Sequence, residues 1–299
     1  MKKFYNFFAS TIFIFACLIL PKAARAATLS FSVDSRQISV GDVFVAKLDL
    51  DSAGEKINVA QAAVHFDSKA LEVKNIGTGG SIFNQWASGP SYDNQAGNIS
   101  FTGGTTESFS GSLGNILKIA FYAKQKGQTA LSFAADSAIY LADGKGTKIS
   151  PLLNGSQITI SDVAQNQPST NQWDKILADD KTPPENLNIS LGRDPSVFGG
   201  KYFISFSATD SGSGIDYYAA SEGGGDFAQT QSPYVLKDQT LSGTVTVKAV
   251  DKAGNASIKS LNLKQNNPTG IGYKIWFIIA GLIVLLIAAF AIKKLKKLQ

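Results

Sequence analysis

From Thr28 to Ile160 the chain is written in short alternating runs, among them Phe44 to Leu50, Ala60 to Phe66, Asn98 to Phe101 and Leu117 to Ala123, separated by Gly, Asn, Asp and Ser. Side chains of a strand point alternately to its two faces, so runs of this kind are half-buried strands, and no segment here sustains a helical period. Regular short strands between turn residues point to an all-β sandwich, which hides one apolar face of each sheet against the other. A second strand-rich stretch runs from Leu187 to Leu263 and includes Tyr202 to Ala208, Ile215 to Ala220, Tyr234 to Leu236 and Thr244 to Val250. It suits a smaller sandwich. Residues 162–184 between them carry Gln165-Asn166-Gln167-Pro168-Ser169-Thr170 and Asp179-Asp180-Lys181-Thr182-Pro183-Pro184, a linker composition in which Trp173 to Leu177 has room for one helical turn.

Two apolar segments frame these modules. Phe7 to Leu20 follows Lys2-Lys3 and precedes Ala24-Arg25-Ala26, the three parts of a secretory signal, so cleavage is expected after Ala26. Cys17 lies inside that run and goes with the discarded segment. Ile275 to Ile292 holds 18 residues without a charge, which at about 1.5 Å per residue nearly crosses a hydrocarbon core of about 30 Å. Tyr273 and Trp276 mark one interface, and Lys293, Lys294, Lys296 and Lys297 mark the other and place the tail in the cytoplasm. Asn266-Asn267-Pro268-Thr269-Gly270 is one residue short of a sortase signal, which favours a retained single-pass anchor over covalent transfer.

The expected division is therefore a signal peptide (1–26), a first sandwich (27–161), a linker (162–184), a second sandwich (185–264), a juxtamembrane segment (265–274), a transmembrane helix (275–292) and a basic tail (293–299). The sequence pI near 9.1 belongs to targeting. Removing the four basic residues of the signal and the four of the tail leaves 20 Lys and Arg against 23 acids, a net charge of −3. No Lys/Arg cluster with interleaved aromatics remains as a footprint for nucleic acid. Beyond the signal there is no cysteine and a single histidine, His65, which excludes disulfides, cysteine-ligated zinc and a thiol nucleophile.

Several landmarks of residues 28–160 stand together. Val40-Gly41-Asp42 precedes a strand, Val64-His65-Phe66-Asp67-Ser68-Lys69-Ala70-Leu71-Glu72-Val73 is followed by the long Gly114 to Lys124 run, and Asn154 to Ile160 closes the module. In this order and spacing the segment resembles a cohesin domain, the module that docks dockerin-bearing enzymes onto cellulosome scaffolds. The resemblance implies a jelly-roll β-sandwich that binds a dockerin-like protein noncovalently through an outer sheet face. Each landmark also has a structural account: Gly accepts positive φ before a strand, and Asp67 can close the turn from which Leu71 re-enters the core.

Alternation directs Ala60, Ala62, Val64 and Phe66 to one side of their strand and Val59, Gln61, Ala63 and His65 to the other; a neighbouring strand turns Ile99 and Phe101 inward and Ser100 and Thr102 outward. The expected partner-binding set is Val59, Gln61, Ala63, His65, Ser100 and Thr102. In cohesins, Asn and Asp commonly contact the dockerin at the positions that align with Val59 and Gln61, so the usual specificity does not transfer directly. A small, weakly charged, flat face still suits protein docking at about 800 Å² per partner.

Residues 182–263 resemble bacterial Ig-like modules of surface proteins, through Ser207-Ala208-Thr209-Asp210, Ser213-Gly214-Ile215-Asp216-Tyr217 and Val247 to Asn255. The resemblance implies a spacer. Asp210, Asp216 and Asp251 could meet around calcium, but scattered turn aspartates are far more common than sites, so no metal ligand and no cofactor is assigned.

Catalytic signals are weak. A Ser-His-Asp arrangement would need His65, which lies mid-strand on an open face, and no carboxylate pair stands out for glycoside hydrolysis. Gly77-Thr78-Gly79-Gly80 and Gly223-Gly224-Gly225 lack the strand, helix and Lys-Ser/Thr of a phosphate loop. The chain is read as a non-enzyme. Phe83, Trp86 and Tyr92 offer a sugar-stacking platform, so the rival to protein docking is a carbohydrate-binding module for surface polysaccharide, associated with polysaccharide catabolism; a structural envelope protein is the other alternative.

Overall fold

The computed structural model describes residues 26–33, 37–162 and 168–264. The expected signal up to Arg25, the juxtamembrane segment, the transmembrane helix and the basic tail fall outside the described residues. Among the described residues no helix is long and apolar enough to cross a membrane.

The first module contains β1 (Thr28–Val33), β2 (Ile38–Ser39), β3 (Val43–Asp51), β4 (Ile57–Phe66), β5 (Leu71–Gly77), β6 (Gln85–Asp93) and β7 (Asn98–Phe109). It continues through β8 (Gly114–Ala123), β9 (Gly127–Phe133), β10 (Ala138–Leu141), β11 (Lys148–Ile149), β12 (Leu152–Asn154) and β13 (Ser156–Ser161). One sheet runs β12-β1-β3-β8-β5, and the other runs β11-β10-β4-β9-β13-β2, with β7 on the free side of β4 and β6 beyond it. Leu29, Phe44, Leu48, Ile119 and Phe121 of the first sheet meet Ala60, Val64, Phe66, Ile99, Phe101 and Leu131 of the second. Phe121 stacks on Phe44 at 5.8 Å and takes the edge of Phe66 at 5.5 Å, so aromatic contacts join the layers at the centre.

The segment expected to be a linker is described from residue 168 onward, and it does not hang free. Asn171 caps α1 (Gln172–Asp179), its side chain accepting from the Trp173 and Asp174 amides at 3.0 and 3.1 Å. Trp173 is buried against Val45 and Ala120 on the outer face of the first sheet. Asp42, itself buried, accepts from the Ser39 amide at 2.8 Å and from the Thr170 amide and hydroxyl at 2.6 and 3.0 Å, pinning the approach to the helix.

The second module is also a two-sheet sandwich, built from β14 (Glu185–Arg193), β15 (Tyr202–Thr209), β16 (Ile215–Glu222), β17 (Ala228–Thr230), β18 (Tyr234–Val235), β19 (Thr244–Asp251) and β20 (Ala256–Asn262). Its sheets run β14-β15-β18 and β17-β16-β19-β20. Ile204, Phe206, Val245, Val247 and Ala249 form its centre.

Candidate functional site

β4 alternates as its sequence dictates: Ala60, Ala62, Val64 and Phe66 are buried, while Val59, Gln61 and Ala63 are partly exposed and His65 is exposed. Register sets Gln61 opposite Thr102, Ala63 opposite Ser100 and His65 opposite Asn98 on β7. On the other side Gln61 lies opposite Ala138 and Val59 opposite Tyr140 of β10. Five of the six residues expected to bind a partner thus sit accessibly on one continuous sheet face. Thr102 is the exception. It shares the face but is 7% exposed, because it lies in a shallow depression of about 280 Å³ lined also by Gln61, Ala63, Ser88, Ser100, Asp136 and Ser137. Asp136 is the charged residue in that lining, and the Ser100 hydroxyl is 3.2 Å from that of Ser91 on β6. Small side chains line the depression, and the hydroxyls and the Gln61 amide give it hydrogen-bonding capacity with little charge.

The three aromatics considered for sugar stacking do not form a platform. Phe83 is 3% exposed in the core, and Trp86 packs edge-on against both Phe83 and Phe101 with centroids 6.2 Å apart. Of the three only Tyr92 is exposed, at 45%, toward the far end of β6 where it lies opposite Ile99. β6 itself went unseen in the sequence because Gly89-Pro90 interrupts it; an edge strand tolerates proline because one of its sides has no ladder to serve. His65 is exposed in mid-sheet, opposite Asn98 and Ser132, as an open-face histidine should be.

The family model for the cohesin domain matches residues 29–160. This chain carries a cohesin domain. Similar solved structures include the seventh ScaB type I cohesin from Pseudobacteroides cellulosolvens, at 21% identity and a TM-score of 0.40, covering 48% of this chain and 97% of that one. Another is a type I cohesin–dockerin complex from Clostridium thermocellum, at 18% identity and a TM-score of 0.37, covering 46% of this chain and 95% of that one. A third is a non-cellulosomal cohesin from the archaeon Archaeoglobus fulgidus, at 15% identity and a TM-score of 0.37, covering 47% and 94%. Among curated proteins nothing matches. Cohesin domains are non-catalytic binding modules, which agrees with the weakness of every catalytic signal in the sequence.

A second constellation lies where the cohesin domain meets the second module. Asp180 follows α1, Asp210 follows β15 and Asp251 ends β19; all three are buried, and one carboxylate oxygen from each lies within 4.8 Å of the others. Two of these, Asp210 and Asp251, belong to the trio singled out in the sequence. Asp216 does not join them; it is half-exposed and pairs with Lys252 at 3.2 Å. Asp180 takes its place, a residue that linker composition had hidden.

The electrostatics of the cluster are uneven. Burial pushes the Asp210 carboxyl above its ordinary value, and the nearby charges of Asp180 and Asp251 push the same way. Asp180 is also desolvated, but hydrogen bonds from Ser213 and Thr182 outweigh this and hold it below the ordinary value. Lys118, from the outer face of β8, reaches the Gly212 carbonyl at 2.9 Å; burial, then Lys47, lowers its pKa, while Asp210 and Asp180 oppose the shift.

Proposed function

We propose that this chain is a membrane-anchored surface docking protein whose cohesin domain holds a dockerin-type protein noncovalently across the β7-β4-β10 face. The observation that carries the reading is that face: continuous across three strands, lined by small polar and apolar side chains around a shallow depression, and displayed by a domain whose family consists of binding modules. The second sandwich, in its size and two-sheet build, fits an Ig-like spacer. Residues 1–26 and 275–292 read as export signal and single-pass anchor, which would leave both modules outside the cell and the tail in the cytoplasm. Tethering then raises the effective concentration of a captured client at the surface without any new contact. The polysaccharide reading loses its main support with the burial of Phe83 and the inward packing of Trp86.

The test is calorimetric titration of the purified full chain with a panel of dockerins, comparing wild type with Gln61→Arg. An arginine at Gln61 places a bulky charge in the depression shared with Ser100 and Thr102. At least tenfold weaker binding is expected, in line with truncation or charge effects at the centre of an interface. Unchanged affinity would move the site off this face, and no binding to any dockerin would remove the proposed partner class.

A further inference from the structure

The carboxylate cluster at the module junction is more than a set of turn caps. Asp180 Oδ2 accepts from the Ser213 amide and hydroxyl at 2.8 and 2.6 Å, and its Oδ1 accepts from the Thr182 amide and hydroxyl at 3.2 and 3.0 Å. Asp251 accepts from the Asn255 amide at 2.7 Å through Oδ1 and from the Asn255 side chain at 2.9 Å through Oδ2. Asp210 Oδ1 accepts from the Gly214 and Gly212 amides at 2.6 and 3.1 Å. Asp210 Oδ2 is different: it is buried and accepts no hydrogen bond, although its residue is only 6% exposed. A buried carboxylate oxygen without a donor is among the costlier arrangements a fold can hold.

Charge points the same way. Lys118 is coupled electrostatically to Asp210 and Asp180, but its Nζ donates to the Gly212 carbonyl. Three buried carboxylates beside that ammonium make an acidic site, which suits a dication. Oxygen donors from three carboxylates are the ligands of a hard cation, and oxygens about 2.4 Å from a calcium ion lie at most about 4.8 Å apart, a limit within which one oxygen from each of the three falls. We propose that Asp180, Asp210 and Asp251 bind one calcium ion at the junction of the two modules, with Asp210 Oδ2 as the ligand that has no other employment in the fold. The three ligands come from the end of α1 and from both sheets of the second sandwich, and the 210–214 loop that carries Asp210 rests on the cohesin loop 77–80. Calcium at this point locks the stalk's loops in the conformation that meets the cohesin domain.

The purified full chain, stripped with chelator, is titrated with calcium chloride by calorimetry and melted with and without the ion, with magnesium chloride as a comparison. One calcium per chain, bound at least tenfold more tightly than magnesium, with a melting temperature raised by several degrees, is expected. Asp210→Asn keeps an oxygen for the Gly212 and Gly214 amides and replaces the unpaired anion by a neutral amide. It should melt no lower than wild type in chelator, yet lose at least tenfold in calcium affinity and most of the calcium-dependent rise. Asp216→Asn, outside the cluster, should titrate as wild type does. If Asp210→Asn does not fold, Asp251→Asn carries the same expected loss of affinity. A wild-type chain that takes up no calcium at millimolar concentration overturns the proposal, as does uptake that survives these substitutions.

Discussion

At the end of β16 the Glu222 carboxylate accepts from the Tyr234 hydroxyl at 2.7 Å and from the Lys237 and Asp238 amides at 2.9 and 3.0 Å. Glu222 and Tyr234 lie in different sheets of the second sandwich, so one side chain ties the layers at their edge. Burial, reinforced by the hydrogen bond to Glu222 and its charge, pushes the Tyr234 phenol up to about 12. A raised phenol pKa means that the contribution of the group is complete below its unfolded value of about 10 and is lost as pH rises through the folded value. Absorbance titration should therefore show a tyrosinate forming near pH 12; burial raises Tyr218 as well, but the Tyr234 step is the one that Glu222→Gln should bring back toward 10. A wild-type titration with every tyrosine near 10 would remove the tie. Single residues were only half legible in the sequence. Gly41 does take positive φ, and Asp67 does accept from the Lys69 amide at 2.9 Å to shape its turn. That Asp42 also reaches Thr170, 128 positions away, no local pattern encodes.

Strands were legible at the level of elements wherever one face is buried and the other solvated. β4 shows this best, since each of its alternating apolar residues from Ala60 to Phe66 lies in the core and the outward set of the candidate face follows by register. β8 hid its second role. Its outer face carries Ala120, which looks like a strand residue of no consequence until Trp173 of α1 lies on it together with Val45. A short amphipathic turn in polar, proline-flanked sequence is too brief for periodicity to announce, and its stability comes from docking rather than propensity. Trp173→Ala should accordingly cost about 3 kcal/mol of stability, at the lower end of values for buried tryptophan because the helix is peripheral. Thermal or denaturant unfolding measures this directly, and amide exchange should show α1 losing protection while the cohesin core retains it. An unchanged midpoint would mean that the helix is merely resting on the sheet.

The two sandwiches meet through backbone rather than through an apolar patch. The Gly80 amide donates to the Asp210 carbonyl at 2.7 Å, and Gly79 comes so close to the opposing loop that a Cβ there would stand 1.9 Å from the Gly212 carbonyl oxygen. Gly214, at φ +89°, would place its own Cβ 2.5 Å from the Gly79 amide nitrogen. Glycine is required on both sides of the contact because no side chain fits between the loops, and in the sequence Gly77-Thr78-Gly79-Gly80 could be recognised only as a loop. Such a junction fixes the angle between the cohesin domain and the second sandwich. Gly79→Ala tests the idea, since its methyl group cannot be accommodated by rotating a flexible neighbour: the obstacle is main chain. The loops must part, so small-angle scattering of the purified full chain should show a longer maximum dimension and a broader distribution of shapes than wild type. Dockerin affinity should stay within about twofold, because the β7-β4-β10 face does not include this loop. Scattering curves that superimpose would show that the modules are held together elsewhere, and loss of dockerin binding would mean that the junction and the docking face are coupled.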